Sequence, residues 1–120
     1  MPGLLTTHVL DTAQGRPAAG VAIELWRLHA DGSRDVRLAS VRTNADGRTD
    51  VPLLVAEQYS PGAYELIFHT GAYFAGQQLA LTDPPFLDQI PVRFNVTGTD
   101  ASYHVPLLVS PWAYSTYRGS

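Results

Sequence analysis

Val21-Ala22-Ile23-Glu24-Leu25-Trp26-Arg27-Leu28-His29-Ala30-Asp31-Gly32-Ser33-Arg34-Asp35-Val36-Arg37-Leu38-Ala39-Ser40-Val41-Arg42 is the stretch whose reading decides the fold class. Val21, Ile23 and Leu25 recur at every second position and continue to Arg27 and His29, while Ala22, Glu24, Trp26 and Leu28 take the other face. That period belongs to a strand. Asp31-Gly32 is a strong hairpin signal, because a two-residue turn needs residues that tolerate positive φ. Arg34 to Arg42 returns as the partner strand, with Val36, Leu38 and Ser40 facing away from Arg37, Ala39 and Val41. The core unit is an antiparallel hairpin.

Working outward, the same signal repeats. Leu5 to Asp11 reads as a short strand, with Thr6 and Thr7 β-branched and His8 in its middle. Asp11 to Pro17 is a loop. Thr43 to Arg48 is a turn rich in residues that accept left-handed backbone, and Pro52 to Pro61 is irregular. Ala63 to Thr70 alternates Tyr64, Leu66 and Phe68 against Glu65, Ile67 and His69. Gly71 to Leu79 changes period to about two helical turns, with Thr70 placed to cap its start. Ile90 to Val96 alternates again. Tyr103 to Val109 is a strand whose Pro106 demands an edge or a bulge. Ser110-Pro111 turns the chain into a last strand, Trp112 to Tyr117. Aromatic side chains bury much area, so this tail is expected to pack. The spacing predicts one domain over residues 1–120: an all-β, antiparallel sandwich of about seven to eight strands with one short helix.

Composition narrows the function. The chain has 120 residues and a formal net charge of −3, and all eight basic residues are Arg, so no basic face offers itself to nucleic acid. Cysteine is absent, which excludes disulfides, thiolate chemistry and Cys-based zinc sites. Met1-Pro2-Gly3-Leu4 shows no charged and apolar leader, no apolar run suits a bilayer, and the C-terminus is not a Ser-Lys-Leu address. A cytoplasmic protein without membrane partners is expected.

The candidate chemistry sits in three places. His8 can exchange protons near neutral pH, as can His104. Arg48 follows Asp46-Gly47 directly and offers a planar donor fork to carbonyls or anionic oxygens. Each has an ordinary structural reading when taken singly: a satisfied strand histidine, a solvated arginine beside a turn, a decorated C-terminal hairpin. His29 lies beside the hairpin turn and reads as solvent-facing, and His69 as structural or exposed. No Asp or Glu stands at ligand spacing beside His8 or His104, so no metal site is expected. Ser120 lacks the Gly-x-Ser-x-Gly setting of a serine nucleophile.

Several phrases together resemble a known family. His104-Val105-Pro106-Leu107-Leu108-Val109-Ser110-Pro111, running to Tyr114-Ser115-Thr116-Tyr117-Arg118-Gly119-Ser120, is similar to the C-terminus of the 5-hydroxyisourate hydrolases, the transthyretin-related enzymes of purine degradation. Leu5-Thr6-Thr7-His8-Val9-Leu10-Asp11, Gly15-Arg16-Pro17-Ala18-Ala19-Gly20-Val21, Thr43-Asn44-Ala45-Asp46-Gly47-Arg48 and Phe68-His69-Thr70-Gly71-Ala72-Tyr73-Phe74 resemble the same family. Pro85-Phe86-Leu87-Asp88 departs from the Phe-Phe-Pro that relatives usually show.

The resemblance implies a transthyretin-like sandwich and a homotetramer, a dimer of dimers with active sites at the dimer–dimer interface. It implies hydrolysis of 5-hydroxyisourate to 2-oxo-4-hydroxy-4-carboxy-5-ureidoimidazoline, in urate degradation towards allantoin, with no cofactor and no metal. It assigns catalysis to His8, Arg48 and His104, and substrate binding to His8, Arg48, Tyr117, Arg118, Gly119 and Ser120. Which histidine is the base is left open. A carrier of small aromatic ligands is the competing expectation, since the fold alone does not separate the two. A purely structural sandwich is a third.

Overall fold

The computed structural model describes residues 3–58, 60–98 and 100–119. In chain order these form β1 (Leu5–Thr6), β2 (Val9–Asp11), β3 (Arg16–Pro17), β4 (Ala22–Leu28), β5 (Arg34–Arg42), a 3-10 turn (Ala56–Gln58), β6 (Gly62–His69), α1 (Thr70–Ala75), β7 (Gln89–Val96), β8 (Tyr103–His104), β9 (Leu107–Val109) and β10 (Tyr114–Thr116). One sheet runs β5-β4-β6-β7 and is antiparallel throughout. β1 and β8 form a separate two-stranded pair, and the other four-stranded sheet runs β10-β9-β2-β3. The two share one core, in which Val9, Leu107 and Val109 from one sheet meet Ile23, Leu25, Leu66, Phe68 and Ile90 from the other. Each such side chain contributes about 1.5–3 kcal/mol on leaving water.

The sandwich agrees with the periodicity, and the departures have local causes. Leu5–Asp11 and Tyr103–Val109 are each broken in two, and they pair with one another in parallel. Alternation cannot report strand direction; among the described strands the sandwich is otherwise antiparallel. Tyr103, Val105 and Leu107 donate their N–H groups in turn to Leu4, Thr6 and His8, at 2.9, 3.0 and 2.9 Å. Pro106 falls between two of these donors, so its missing N–H costs this ladder nothing. Its carbonyl accepts the Thr116 hydroxyl at 2.7 Å.

Residues 16 and 17, expected within a loop, extend the sheet as β3. In β5, Leu38 and Ala39 both pack against the core although they are neighbours. The register slips there, Leu25 opposing Ala39 and Trp26 opposing Arg37, so Leu38 is the extra residue of a bulge. The helix is shorter than expected. Its N-cap is His69, without a side-chain cap, and Thr70 lies inside it. The Thr70 hydroxyl instead donates to the Asp88 carbonyl at 3.1 Å. A single turn of helix survives because tertiary bonds hold it. The Tyr73 hydroxyl donates to the buried Asp11 carboxylate at 2.8 Å, and Gln14 donates to the same carboxylate through its backbone N–H and its side chain. Burial, and then that carboxylate, push the Tyr73 hydroxyl up to about 12.

The tail departs most. β10 is an edge strand, and Trp112, Tyr114 and Tyr117 are 58%, 45% and 58% exposed. The expected packing of these aromatics is not reached within one chain.

Candidate active site

The turn after β5 builds the first part of the site. Asn44 closes it: its carbonyl accepts the Gly47 N–H at 2.9 Å and its N–H donates to the Arg48 carbonyl at 2.7 Å. Its side-chain oxygen accepts the N–H groups of Asp46 and Arg48 at 2.9 and 3.2 Å. Gly47 has φ of 74°, and a Cβ there would lie 2.4 Å from the Val9 carbonyl oxygen. Both the left-handed backbone and the close approach require glycine. The turn is thereby docked on the start of β2, where Val9 donates to the Gly47 carbonyl at 2.8 Å. The turn that carries Arg48 is held against the residues His8 and Val9 for that reason.

His8 lies between β1 and β2, half-buried. Its Nε2 is 2.8 Å from the Asp46 carbonyl oxygen. A carbonyl only accepts, so Nε2 carries the proton, and Nδ1 is the unprotonated nitrogen of the neutral ring.

His104 reaches the same place from β8. It stands directly opposite Thr6 in the parallel pair, and its Nδ1 is 2.9 Å from the Thr6 hydroxyl oxygen. Burial holds its pKa below the ordinary imidazole value, and the nearby Arg48 guanidinium and then His8 add to the effect. The shift favours the neutral ring, beside a guanidinium that stays charged. Two imidazoles and one cation, far apart in sequence, meet on one half-exposed face.

The tail closes over this face. Gly119 forms a bridge with His104 and donates its N–H to the His104 carbonyl at 2.7 Å. A Cβ on Gly119 would fall 2.6 Å from Cδ2 of that imidazole. Tyr117 and Arg118 line a cleft of about 310 Å³ whose other walls include Val92 to Asn95, Tyr103 and Val105. The Arg118 guanidinium lies over the Tyr103 ring, 4.3 Å from its centre. The structure thus brings His8, Arg48, His104 and Gly119 together and sets Tyr117 and Arg118 in the neighbouring cleft. Ser120 lies outside the described residues.

The other two histidines lie elsewhere. His29 is 3.6 Å from Asp35, and both are exposed. His69 Nε2 pairs with Glu24 at 2.6 Å on the other sheet. Sequence reasoning missed Thr6 and the Asp46 carbonyl. Thr6 read only as a β-branched strand residue, and a backbone carbonyl carries no sequence signal.

Such a set can take a proton from water, stabilise a developing oxyanion and return a proton to a leaving group.

The chain is similar to known proteins over nearly all its length. It is 53% identical over 118 residues to the 5-hydroxyisourate hydrolase 2 of Rhizobium meliloti (strain 1021), covering 98% of this chain and 97% of that one. The crystal structure of an (S)-allantoin synthase superposes with a TM-score of 0.92 at 45% identity, over 99% of this chain; the chain spans 44% of that longer one. Transthyretin from Sparus aurata superposes with a TM-score of 0.83 at 30% identity, over 96% of this chain and 95% of that one. The description of the HIUase/Transthyretin family matches residues 5–119, and the chain belongs to that family.

Proposed function

We propose that the protein hydrolyses 5-hydroxyisourate. Water adds to an acyl carbon of the six-membered ring, the carbon–nitrogen bond breaks, and the leaving nitrogen takes a proton, giving 2-oxo-4-hydroxy-4-carboxy-5-ureidoimidazoline. His8 and His104 handle the two proton transfers, Arg48 stabilises the oxyanion, and the tail from Tyr117 to Ser120 holds the substrate. The observation that carries the reading is the meeting of His8, Arg48 and His104 on one face, built by the Gly47 turn and the parallel pair. Identity supports it: 53% to a hydrolase against 30% to a transthyretin. The test is absorbance decay of freshly generated 5-hydroxyisourate. Decay well above the spontaneous rate is the expected result; decay at that rate sinks the enzyme reading and favours a carrier.

The same reading includes assembly. β7 and β10 are the edges of their sheets, and both border the cleft lined by Tyr117 and Arg118. Free edges and exposed aromatics call for a cover. The assembly is a homotetramer, a dimer of dimers with the sites at the dimer–dimer contact, working in the cytoplasm without metal or other cofactor. Among the described residues no helix is long and apolar enough to cross a membrane. Light scattering at micromolar concentration should find four chains. A fully active monomer contradicts the arrangement.

A further inference from the structure

Thr6 has no part in the assignments above, yet its hydroxyl is the one described partner of the His104 ring nitrogen. Its place is over-determined. The Thr6 carbonyl accepts the Val105 N–H at 3.0 Å, and the register puts Thr6 and His104 face to face across the parallel pair. Gly119 packs against the carbon side of the same ring. With Nδ1 at Thr6 and Cδ2 at Gly119, the imidazole has one orientation.

The direction of the Thr6 bond follows from what a proton-transfer residue must do. His104 has to be neutral before it accepts a proton and positive afterwards. A threonine hydroxyl can donate to a bare Nδ1 or accept from Nδ1–H. If it donated, the bond would be lost once the ring became doubly protonated. If it accepts, the bond survives in both charge states and the ring need not turn. The neighbouring histidine already follows this plan: His8 is anchored through Nε2–H on the Asp46 carbonyl, an acceptor in either state.

Resting on the hydrolase reading, we infer that Thr6 is a positioning residue: its hydroxyl accepts the Nδ1–H of His104 and leaves Nε2 to exchange protons in the reaction. The two imidazoles are then complementary in their wiring. His8 works through Nδ1 and His104 through Nε2, each anchored by the other nitrogen. A hydroxyl anchor also differs from a carboxylate one. It fixes the tautomer without placing a negative charge beside the ring, so the ring is not driven towards the imidazolium.

The experiment uses the full chain, with Thr6→Val and Thr6→Ser beside wild type. Nitrogen-15 NMR of the histidine rings, without substrate, reads the tautomer of His104. The expected wild-type pattern is Nδ1–H, lost or mixed in Thr6→Val and kept in Thr6→Ser. Outer partners of metal-bound histidines cost about 10–100-fold when removed; kcat in Thr6→Val should fall by about tenfold, the low end of that range, with circular dichroism unchanged, and Thr6→Ser should recover most of the rate. An Nε2–H tautomer in wild type overturns the inference. So does wild-type kcat in Thr6→Val, or an equal loss in both variants, which would mark a packing role for the β-branched side chain. If no form turns over 5-hydroxyisourate, the function fails, while the tautomer still tests Thr6.

Discussion

His8→Ala and His104→Ala each lower the turnover of 5-hydroxyisourate by about 10²-fold or more, the usual contribution of a positioned proton-transfer group. His29→Ala and His69→Ala leave the rate close to wild type. The contrast follows from position. His8 and His104 share a face with Arg48, and the charges of Arg48 and His8 are felt at His104. His29 sits in an exposed pair with Asp35, the kind of surface pair that contributes about 0–1 kcal/mol, and His69 pairs with the part-buried Glu24 on the far sheet. Steady-state kinetics with parallel thermal melts separate chemistry from stability. Equal losses at all four positions would mean that folding, not proton transfer, is being measured.

The pH profile carries a sign. If His104 is the base, its neutral form accepts the proton, and its pKa is held down by burial, Arg48 and His8 in that order. Its acid limb in wild type should therefore lie below the ordinary imidazole value. The rate falls as pH drops through that limb, not at neutrality.

How much of this was legible in the sequence depends on range. The Asp31-Gly32 hairpin and the Asn44 to Arg48 turn are local, and their chemistry can be read from adjacent residues. Gly47 is required by its own φ and by the strand it touches. The meeting of the two histidines is not local. Thr6 and His104 are 98 positions apart, and the parallel pairing that joins them leaves no trace in the period of either strand. The bulge at Leu38 also escaped the reading, since one extra residue reverses a face without altering composition. The aromatic tail was misread for a further reason. Trp112, Tyr114 and Tyr117 signal burial, but the chain taken alone leaves them about half-exposed. The family resemblance supplied the link between His8, Arg48 and His104 that residue patterns could not.

Gly119→Ala removes most of the activity, by about 10²-fold, while fold and assembly persist. The argument is steric. The new Cβ would sit 2.6 Å from Cδ2 and 3.2 Å from Cβ and Cγ of His104. Real side chains do not tolerate the first of these distances, and the Cβ contact is too near the backbone for a rotamer change to relieve it. The ring cannot move away while its Nδ1 is held at Thr6, so the clash is relieved by shifting the imidazole off that anchor or by peeling the tail away. Peeling breaks the 2.7 Å bond from the Gly119 N–H to the His104 carbonyl. Either way a reacting group moves by about an ångström, a displacement that can cost about 10²-fold in rate. Deleting Arg118 to Ser120 should do at least as much, because it also removes the guanidinium stacked on Tyr103. Neither change replaces a residue of the core between the two sheets, so circular dichroism and light scattering should match wild type. A Gly119→Ala protein with full activity would show that the tail can give way without disturbing His104, and the site would then have to be drawn without it.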